Sequence, residues 1–204
     1  MSLTGTILKI ISVDEISRLD SFVYKEFTDK SVLIDASLDR SIILFVVSGN
    51  VEVASNDKLP NSQISKKVII LPHGSRAELS FSVGATVITF AFLDYLDLSP
   101  STIAAMQLFD PDKDKVVPCL DIPPYISIIL QEVRAFVSDR EINDVVHRVY
   151  FVKVIKLLEK CYGSKIFAAF LSPIVCERYK MVEKYQKKLQ QSEKRGKKLL
   201  KIQL

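Results

Sequence analysis

SIILFVVSGNVEV, residues 41–53, is the stretch of sequence that decides the fold. Its first seven residues are almost continuously apolar, which is typical of a strand buried on both faces. Residues 48–50 form a turn signal, Ser-Gly-Asn, and residues 51–53 then alternate between apolar and polar side chains. The stretch therefore predicts a central strand, a turn, and a second strand with one face in water.

Similar short runs recur through the first hundred residues, separated by turn signals rich in Gly, Pro and Asn. Many short strands at this spacing are typical of an antiparallel sandwich or a small barrel. The run at 86–92 is as apolar as the first one, so we expect a second central strand there, with one face against helices. The predicted strands are 32–36, 42–47, 51–54, 68–71, 78–81 and 85–92.

The pattern changes after a Pro-rich segment that holds five of the eight prolines, between Pro100 and Pro124. Proline removes backbone donors and breaks regular structure, so this segment predicts a connection between two regions. Beyond it, apolar residues recur with the helical period. The sequence therefore predicts an α+β chain: an antiparallel β-barrel or sandwich at 1–100, a connection at 101–123, a helical region at 124–176 and a basic helix and tail at 177–204.

Helix boundaries in the second half have local signals. Ser138 and Glu141 fit a capping box, which predicts the start of a long helix that runs to about Tyr162. Gly163 suits the position just after its end. A short helix is then expected from Ser164, and Pro173 fits the first turn of a last helix.

Catalytic and metal-binding patterns are missing from the sequence. The two histidines, His73 and His147, form no His-x-His pair of the kind a cupin metal site needs. We expect His73 in a solvated turn and His147 at a helix surface or an interface. There is no G-x-S-x-G elbow and no glycine-rich phosphate loop. The sequence predicts a protein that is not an enzyme and needs no metal or cofactor.

Composition bounds the location and the partners. The 204 residues contain no apolar run long enough to span a membrane and no signal-peptide pattern, so we expect a cytoplasmic protein without a membrane partner. The three cysteines lack CxxC spacing, which favours buried, reduced thiols. Residues 177–204 hold ten Lys or Arg and three Asp or Glu, a net charge of +7, whereas the rest carries −3.

The basic tail leaves two interpretations open: a solvated helix end, or a contact with nucleic-acid phosphates that does not depend on sequence. The candidate phosphate contacts are Lys187, Lys188, Lys194, Arg195, Lys197 and Lys198.

The strand region is rich in phenylalanine, and this also leaves two interpretations open. The side chains either pack an ordinary core or line a barrel interior that admits a small ligand, with an arginine at its mouth. The candidate pocket residues are Phe45, Val47, Arg76, Phe81, Phe90 and Phe92.

The long helix has more apolar positions than one buried face requires, which predicts self-association. The candidate interface residues are Val145, Val149, Val152 and Ile155.

Four segments carry a family resemblance: VVSGNVEV at 46–53, IILPHGSR at 69–76, KLLEKCY at 156–162 and IFAAFLSP at 166–173. In order and spacing, the chain resembles the N-terminal half of AraC-type transcription regulators, in particular the form found in Bacteroides-like bacteria. The resemblance implies a cupin-like sensor that holds a small-molecule effector or acts only as a scaffold, followed by helices that form a homodimer.

The chain departs from that family after Cys176, where such regulators continue into two helix-turn-helix units. Only 28 residues follow here, without the apolar pattern of that unit. The resemblance therefore implies a non-enzymatic module for sensing and dimerisation, without the DNA reader and without specific DNA binding. The alternative is a basic-tailed protein that binds nucleic acid without sequence specificity.

Overall fold

The computed structural model describes residues 8–35, 38–55, 62–93, 96–110, 118–137 and 143–200. Within these ranges, side chains are described except at 35, 54–55, 62, 77 and 175–200. The architecture below refers to this part of the chain.

The described strands form two five-stranded sheets that pack face to face. The strands are β1 (Lys9–Ile11), β2 (Phe22–Glu26), β3 (Ser31–Asp35), β4 (Ser41–Ser48), β5 (Val51–Ser55), β6 (Ser62–Ile64), β7 (Lys67–Leu71), β8 (Ala77–Phe81), β9 (Thr86–Phe92) and β10 (Cys119–Asp121). The outer sheet has the order β1-β3-β8-β5-β6 and the central sheet the order β10-β7-β4-β9-β2. Neighbouring strands are antiparallel except β1 and β3, which are parallel.

Helices cover the second face of the central sheet. They are α1 (Pro100–Leu108), α2 (Pro124–Val137) and α3 (Asp144–Leu200). Gly163 interrupts α3 with φ 72° and ψ 159°, a conformation outside the helical region. We call residues 144–162 the first arm and residues 164–200 the second arm. The predicted α+β class is confirmed.

The central sheet separates two hydrophobic cores, because successive side chains of a strand point to opposite faces. On β4, Ile42, Leu44 and Val46 enter the core between the sheets, the sandwich core, whereas Ile43 and Phe45 enter the helix-side core. All seven residues of β9 are buried. The prediction of two central strands, buried on both sides and packed on helices, is confirmed.

The turn between β4 and β5 depends on glycine. Gly49 has φ +71°, and a Cβ atom at this position would lie 2.5 Å from the Cα of Ala85. Both the left-handed conformation and the close backbone approach exclude a side chain. This turn therefore holds β4 in the central sheet while β5 crosses to the outer sheet.

All six predicted strands are present, with bounds that differ by one residue or lie partly outside the described residues. Four short strands and α1 were not predicted. Both α1 and β10 fall in the Pro-rich segment, where no regular structure was expected. Proline is compatible with α1, because Pro100 lies in its first turn, where a missing N–H costs nothing. The Oγ of Ser99 caps α1 by accepting a hydrogen bond from the N–H of Thr102. The domain division at 101–123 stays a prediction.

Two predictions on α3 need correction: its start near Ser138 and the start of a new helix at Pro173. The helix begins at Asp144, where the side chain of Asn143 accepts a hydrogen bond of 3.0 Å from the N–H of Val145. The predicted capping box at 138–141 lies outside the described residues. The break at Gly163 is confirmed, but Pro173 does not open a new helix, since the second arm continues through it.

The helix tolerates Pro173 because a side chain replaces part of the missing hydrogen bond. Proline has no N–H to donate to the carbonyl four residues earlier, which here belongs to Ala169. The hydroxyl of Ser172 donates to that carbonyl oxygen at 2.8 Å. The hydrogen bond from Ser172 therefore keeps the buried carbonyl group of Ala169 paired.

The thiols differ from expectation. Cys119 is partly buried, but Cys161 is exposed, so the prediction of burial is wrong for Cys161. The side chain of Cys176 lies outside those described. Across the described residues, no helix is long and apolar enough to cross a membrane.

Candidate functional site

An open cleft of about 270 Å³ lies where the central sheet meets the first arm of α3. Its floor consists of three phenylalanine rings, Phe90 and Phe92 from β9 and Phe151 from α3. The rings of Phe90 and Phe151 stack with centroids 3.8 Å apart and planes 6° apart. Both sheet and helix therefore contribute to one aromatic surface.

The walls of the cleft are apolar and partly exposed. They are formed by Leu19, Leu93 and Val152, which come from the loop before β2, the end of β9 and the first arm of α3. An occupant of the cleft would therefore touch three separate elements at once.

One ion pair lies at the rim of the cleft, between Nη2 of Arg148 and Oδ2 of Asp20. The Arg148 side chain is 64% exposed and the Asp20 side chain 35%. Asp20 has φ +55°, a left-handed conformation that aspartate tolerates better than most residues. Its N–H donates a hydrogen bond of 2.7 Å to the carbonyl oxygen of Ala91. Asp20 is thus held by β9 through its backbone and by α3 through its carboxylate.

The two residues after Asp20 also contact α3. The hydroxyl of Ser21 donates to Oδ1 of Asp144 at 3.3 Å, and the N–H of Phe22 donates to Nδ1 of His147 at 2.9 Å. Residues 20–22 therefore bind three α3 positions, 144, 147 and 148, which the helical period places on one face. We call this set of contacts the clasp.

His147 is buried, with 8% of its surface exposed, so the expectation of a surface or interface position is wrong. Burial lowers its pKa below the usual range, since the charged ring would lose its hydration. The sequence contained a signal for this burial, because His147 lies four and seven positions before Phe151 and Val154 on the face that packs on the sheet.

The six predicted pocket residues do not lie together. Phe81 is in the sandwich core, whereas Phe45, Phe90 and Phe92 are in the helix-side core. Val47 and Arg76 are exposed. Of the six, Phe90 and Phe92 line the cleft.

Sequence reasoning missed Leu19 and Asp20, which precede an unpredicted strand, and Arg148, which belongs to no motif in the sequence. The predicted pocket in the barrel interior and the observed cleft therefore share only these two residues of β9, Phe90 and Phe92.

Three of the four predicted self-association residues form an exposed stripe. Val145 and Val149 are 61% and 60% exposed, and Val152 is partly exposed at the spacing i, i+4, i+7. Ile155 is 2% exposed and belongs to the helix-side core, so it does not share that surface.

A polar contact attaches α1 to the first arm of α3. Oε1 of the buried Glu159 accepts hydrogen bonds from the N–H of Ser99, at 3.2 Å, and from the Ser99 hydroxyl. Burial raises the pKa of Glu159, but hydrogen bonds from Ser99 and Thr102 outweigh burial, so that its pKa lies below the usual value. The carboxylate also lies at the N-terminus of α1, which favours its negative charge.

Metal chemistry has no candidate residues here: the described side chains contain no group of three or more His, Cys, Asp or Glu that could hold an ion. The side chains of the predicted phosphate contacts at 187–198 lie outside those described.

The described architecture is an α+β fold, a two-sheet sandwich with a helical layer on one side. No family model matches the chain, and no curated protein matches it either.

Solved structures of ToxT, an AraC-family regulator from Vibrio cholerae, are similar over part of their length. One ToxT structure is 19% identical with a TM-score of 0.39, covering 72% of this chain and 59% of ToxT. An apo variant of ToxT is 13% identical with a TM-score of 0.44 and the same coverage. Wild-type ToxT with a bound unsaturated fatty acid is 12% identical with a TM-score of 0.40, covering 72% and 57%. The chain thus spans about three-fifths of the ToxT chains it matches.

Proposed function

We propose that the chain is the effector-sensing and self-associating part of a regulator of the AraC type, and that it is not an enzyme. The observation that carries this proposal is the cleft, whose floor is shared by β9 and the first arm of α3. A molecule bound there contacts the sandwich and the helix together, so its binding energy can change how the helix sits on the sheet. The four sequence segments that resemble AraC-type regulators agree with this function.

The chemistry of the cleft indicates the kind of effector. Three phenylalanine rings and three aliphatic side chains favour a mainly apolar molecule. The volume of about 270 Å³ lies just below the range of about 300–1,000 Å³ that is usual for ligand pockets, so a bound effector has to be small. Arg148 is the more exposed member of the rim ion pair, and its guanidinium can bind an anionic group with two hydrogen bonds. We therefore propose a small apolar effector with one anionic group.

The test is a binding titration with small aromatic and aliphatic carboxylates and, as matched neutral ligands, their amides. We expect Arg148→Gln to weaken carboxylate binding at least about tenfold, a loss of about 1.4 kcal/mol. The control variant is Arg76→Gln, since Arg76 is exposed and does not line the cleft. A loss of binding in Arg76→Gln but not in Arg148→Gln would instead place the effector at the sequence-predicted barrel mouth.

Self-association through the stripe Val145, Val149 and Val152 is the second part of the proposal. We expect Val149→Glu to weaken the homodimer in sedimentation experiments, because the charge would have to be buried at the interface. Val83→Glu is the matched control, since Val83 is 62% exposed in the turn between β8 and β9. A wild-type chain that stays monomeric at high micromolar concentration would exclude the homodimer.

The alternative of nucleic-acid binding without sequence specificity rests on the net charge of +7 at 177–204. Titration against random duplex DNA at two salt concentrations tests it. Binding that falls steeply with salt and is lost when residues 187–204 are deleted would support the alternative. Equal binding by the shortened chain would exclude the tail as the phosphate contact.

A further inference from the structure

His147 is the one buried titratable group of the clasp. Its Nδ1 accepts the hydrogen bond from the N–H of Phe22, so the neutral ring carries its proton on Nε2. The ring packs between the side chains of Phe22 and Phe136, with centroid distances of 6.2 and 5.3 Å. Aromatic neighbours from β2 and α2 therefore enclose it, and they offer no charge to stabilise an imidazolium.

The charged groups that act on His147 come from two elements. Asp144 lies one turn earlier on α3, and its carboxylate favours the charged ring. Arg18, from the loop before β2, disfavours it. The charges of the neighbouring residues Asp20 and Arg148 neutralise each other in an ion pair. The α2 residue that contacts the His147 ring is Phe136, which is uncharged.

Protonation of Nδ1 would place two donors opposite each other. The N–H of Phe22 and a protonated Nδ1 cannot share the observed separation of 2.9 Å as a hydrogen bond. Either group would then be buried without an acceptor unless the strand start moves away from the helix. The contacts of Asp20 and Ser21 with α3 are exposed or partly buried. They therefore hold residues 20–22 on α3 less firmly once the hydrogen bond between Phe22 and His147 is lost.

We propose that His147 is an acid-sensitive latch: its neutral ring holds residues 20–22 on the first arm of α3, and protonation of Nδ1 releases them. The latch requires neither an effector nor self-association. It acts on the turns of α3 that also carry Val145 and Val149, so it links pH to the position of that exposed stripe.

The direction of the pH effect follows from burial. The folded pKa of His147 lies below its ordinary value of 6.5. In the pH range between these two values the unfolded chain binds the proton more readily than the folded one. The stabilisation by the latch is therefore fully present above pH 6.5 and is lost as the pH falls through the folded pKa.

The experiment follows the His147 ring and the Phe22 amide by NMR in the same pH titration of the full chain, from about pH 7.5 to pH 4.5. The sequence contains two histidines, so the His147 ring can be distinguished from that of His73. We expect the protection of the Phe22 amide from exchange, corrected for intrinsic rates, to fall by up to about tenfold for each pH unit between pH 6.5 and the His147 titration of the folded chain, and to level off below it. Protection that stays constant through this titration would overturn the proposal.

Two variants sharpen the result. His147→Asn keeps an acceptor on Cγ, where Oδ1 replaces Nδ1, but it does not titrate. We expect its Phe22 amide to stay protected down to pH 4.5, whereas His73→Asn should behave as the wild type. The same loss of protection in His147→Asn would show that another group is responsible. If His147→Asn does not fold, the wild-type titration alone decides.

Discussion

The two faces of the central sheet are filled differently. The sandwich core consists mainly of branched aliphatic side chains, with Phe27 and Phe81 as its only aromatic rings among the described residues. The helix-side core contains seven phenylalanines: Phe22, Phe45, Phe90, Phe92, Phe151, Phe167 and Phe170. Branched side chains of the two sheets interdigitate in the sandwich core, whereas large rings fill much of the space between the central sheet and the helices. The gap that remains open is the cleft.

Each face contains a closely stacked pair of rings, so the effects of truncating a ring on the two faces can be compared by experiment. Phe27 and Phe81 stack at 4.2 Å with planes 14° apart, in the sandwich core. Phe90 and Phe151 stack at 3.8 Å with planes 6° apart, at the floor of the cleft. The first pair is enclosed on all sides and the second borders solvent, so equal truncations should have unequal costs.

We expect the largest effect from Phe81→Ala, with a loss of about 4 kcal/mol in the free energy of unfolding. Phe81 is fully buried, so its removal leaves a cavity that neither water nor a rearranged side chain fills well. Chemical denaturation measures this loss. A cost below about 2 kcal/mol would mean that the two sheets can close together.

Phe151→Ala should cost less, about 3 kcal/mol, because the new space opens into the cleft and can be hydrated. We also expect hydrogen exchange to increase first in residues 144–162, while the sandwich strands stay protected. Uniform loss of protection in both cores would show that the helical layer and the sandwich unfold as one unit.

Glu159→Gln tests the polar attachment of α1, with an expected loss of about 1 kcal/mol at pH 7. The folded pKa of Glu159 lies below its ordinary value of 4.5, so this stabilisation is present above pH 4.5 and is lost as the pH falls through the folded pKa. The difference between wild type and variant should therefore shrink in acid. Glu132→Gln is the control, since Glu132 is exposed and 4.0 Å from Lys153. A difference that does not depend on pH would contradict the assignment.

The smallest effect is expected from Asp20→Asn, below about 1 kcal/mol, because the ion pair with Arg148 is largely exposed. Asparagine also accepts the positive φ of this position. Thermal unfolding at two salt concentrations measures the effect, which should decrease at high salt. A loss above about 2 kcal/mol would contradict the view that this exposed ion pair contributes little to stability.

The long, strongly apolar strands were predictable because their pattern is intrinsic: residues 41–47 and 86–92 have no polar face to present to water. Strands of three residues, such as β1 and β10, were not, since they exist through pairing with β3 and β7 rather than through their own composition. The candidate site was predictable only in its β9 half, Phe90 and Phe92. Leu19, Asp20 and Arg148 lie more than fifty residues from β9 along the chain, and folding alone brings them to it.

The shared central sheet also has a consequence for synthesis. Translation completes β2 to β9 before the helices that cover them, so the aromatic face formed by Phe45, Phe90 and Phe92 is covered only as α2 and then the first arm of α3 are made, about sixty residues after β9. A nascent chain that stalls in this interval exposes an apolar, aromatic surface that is buried in the folded protein. Chaperones that recognise aromatic surface should therefore bind chains that end between β9 and the first arm of α3, and they should release them when Phe151 arrives.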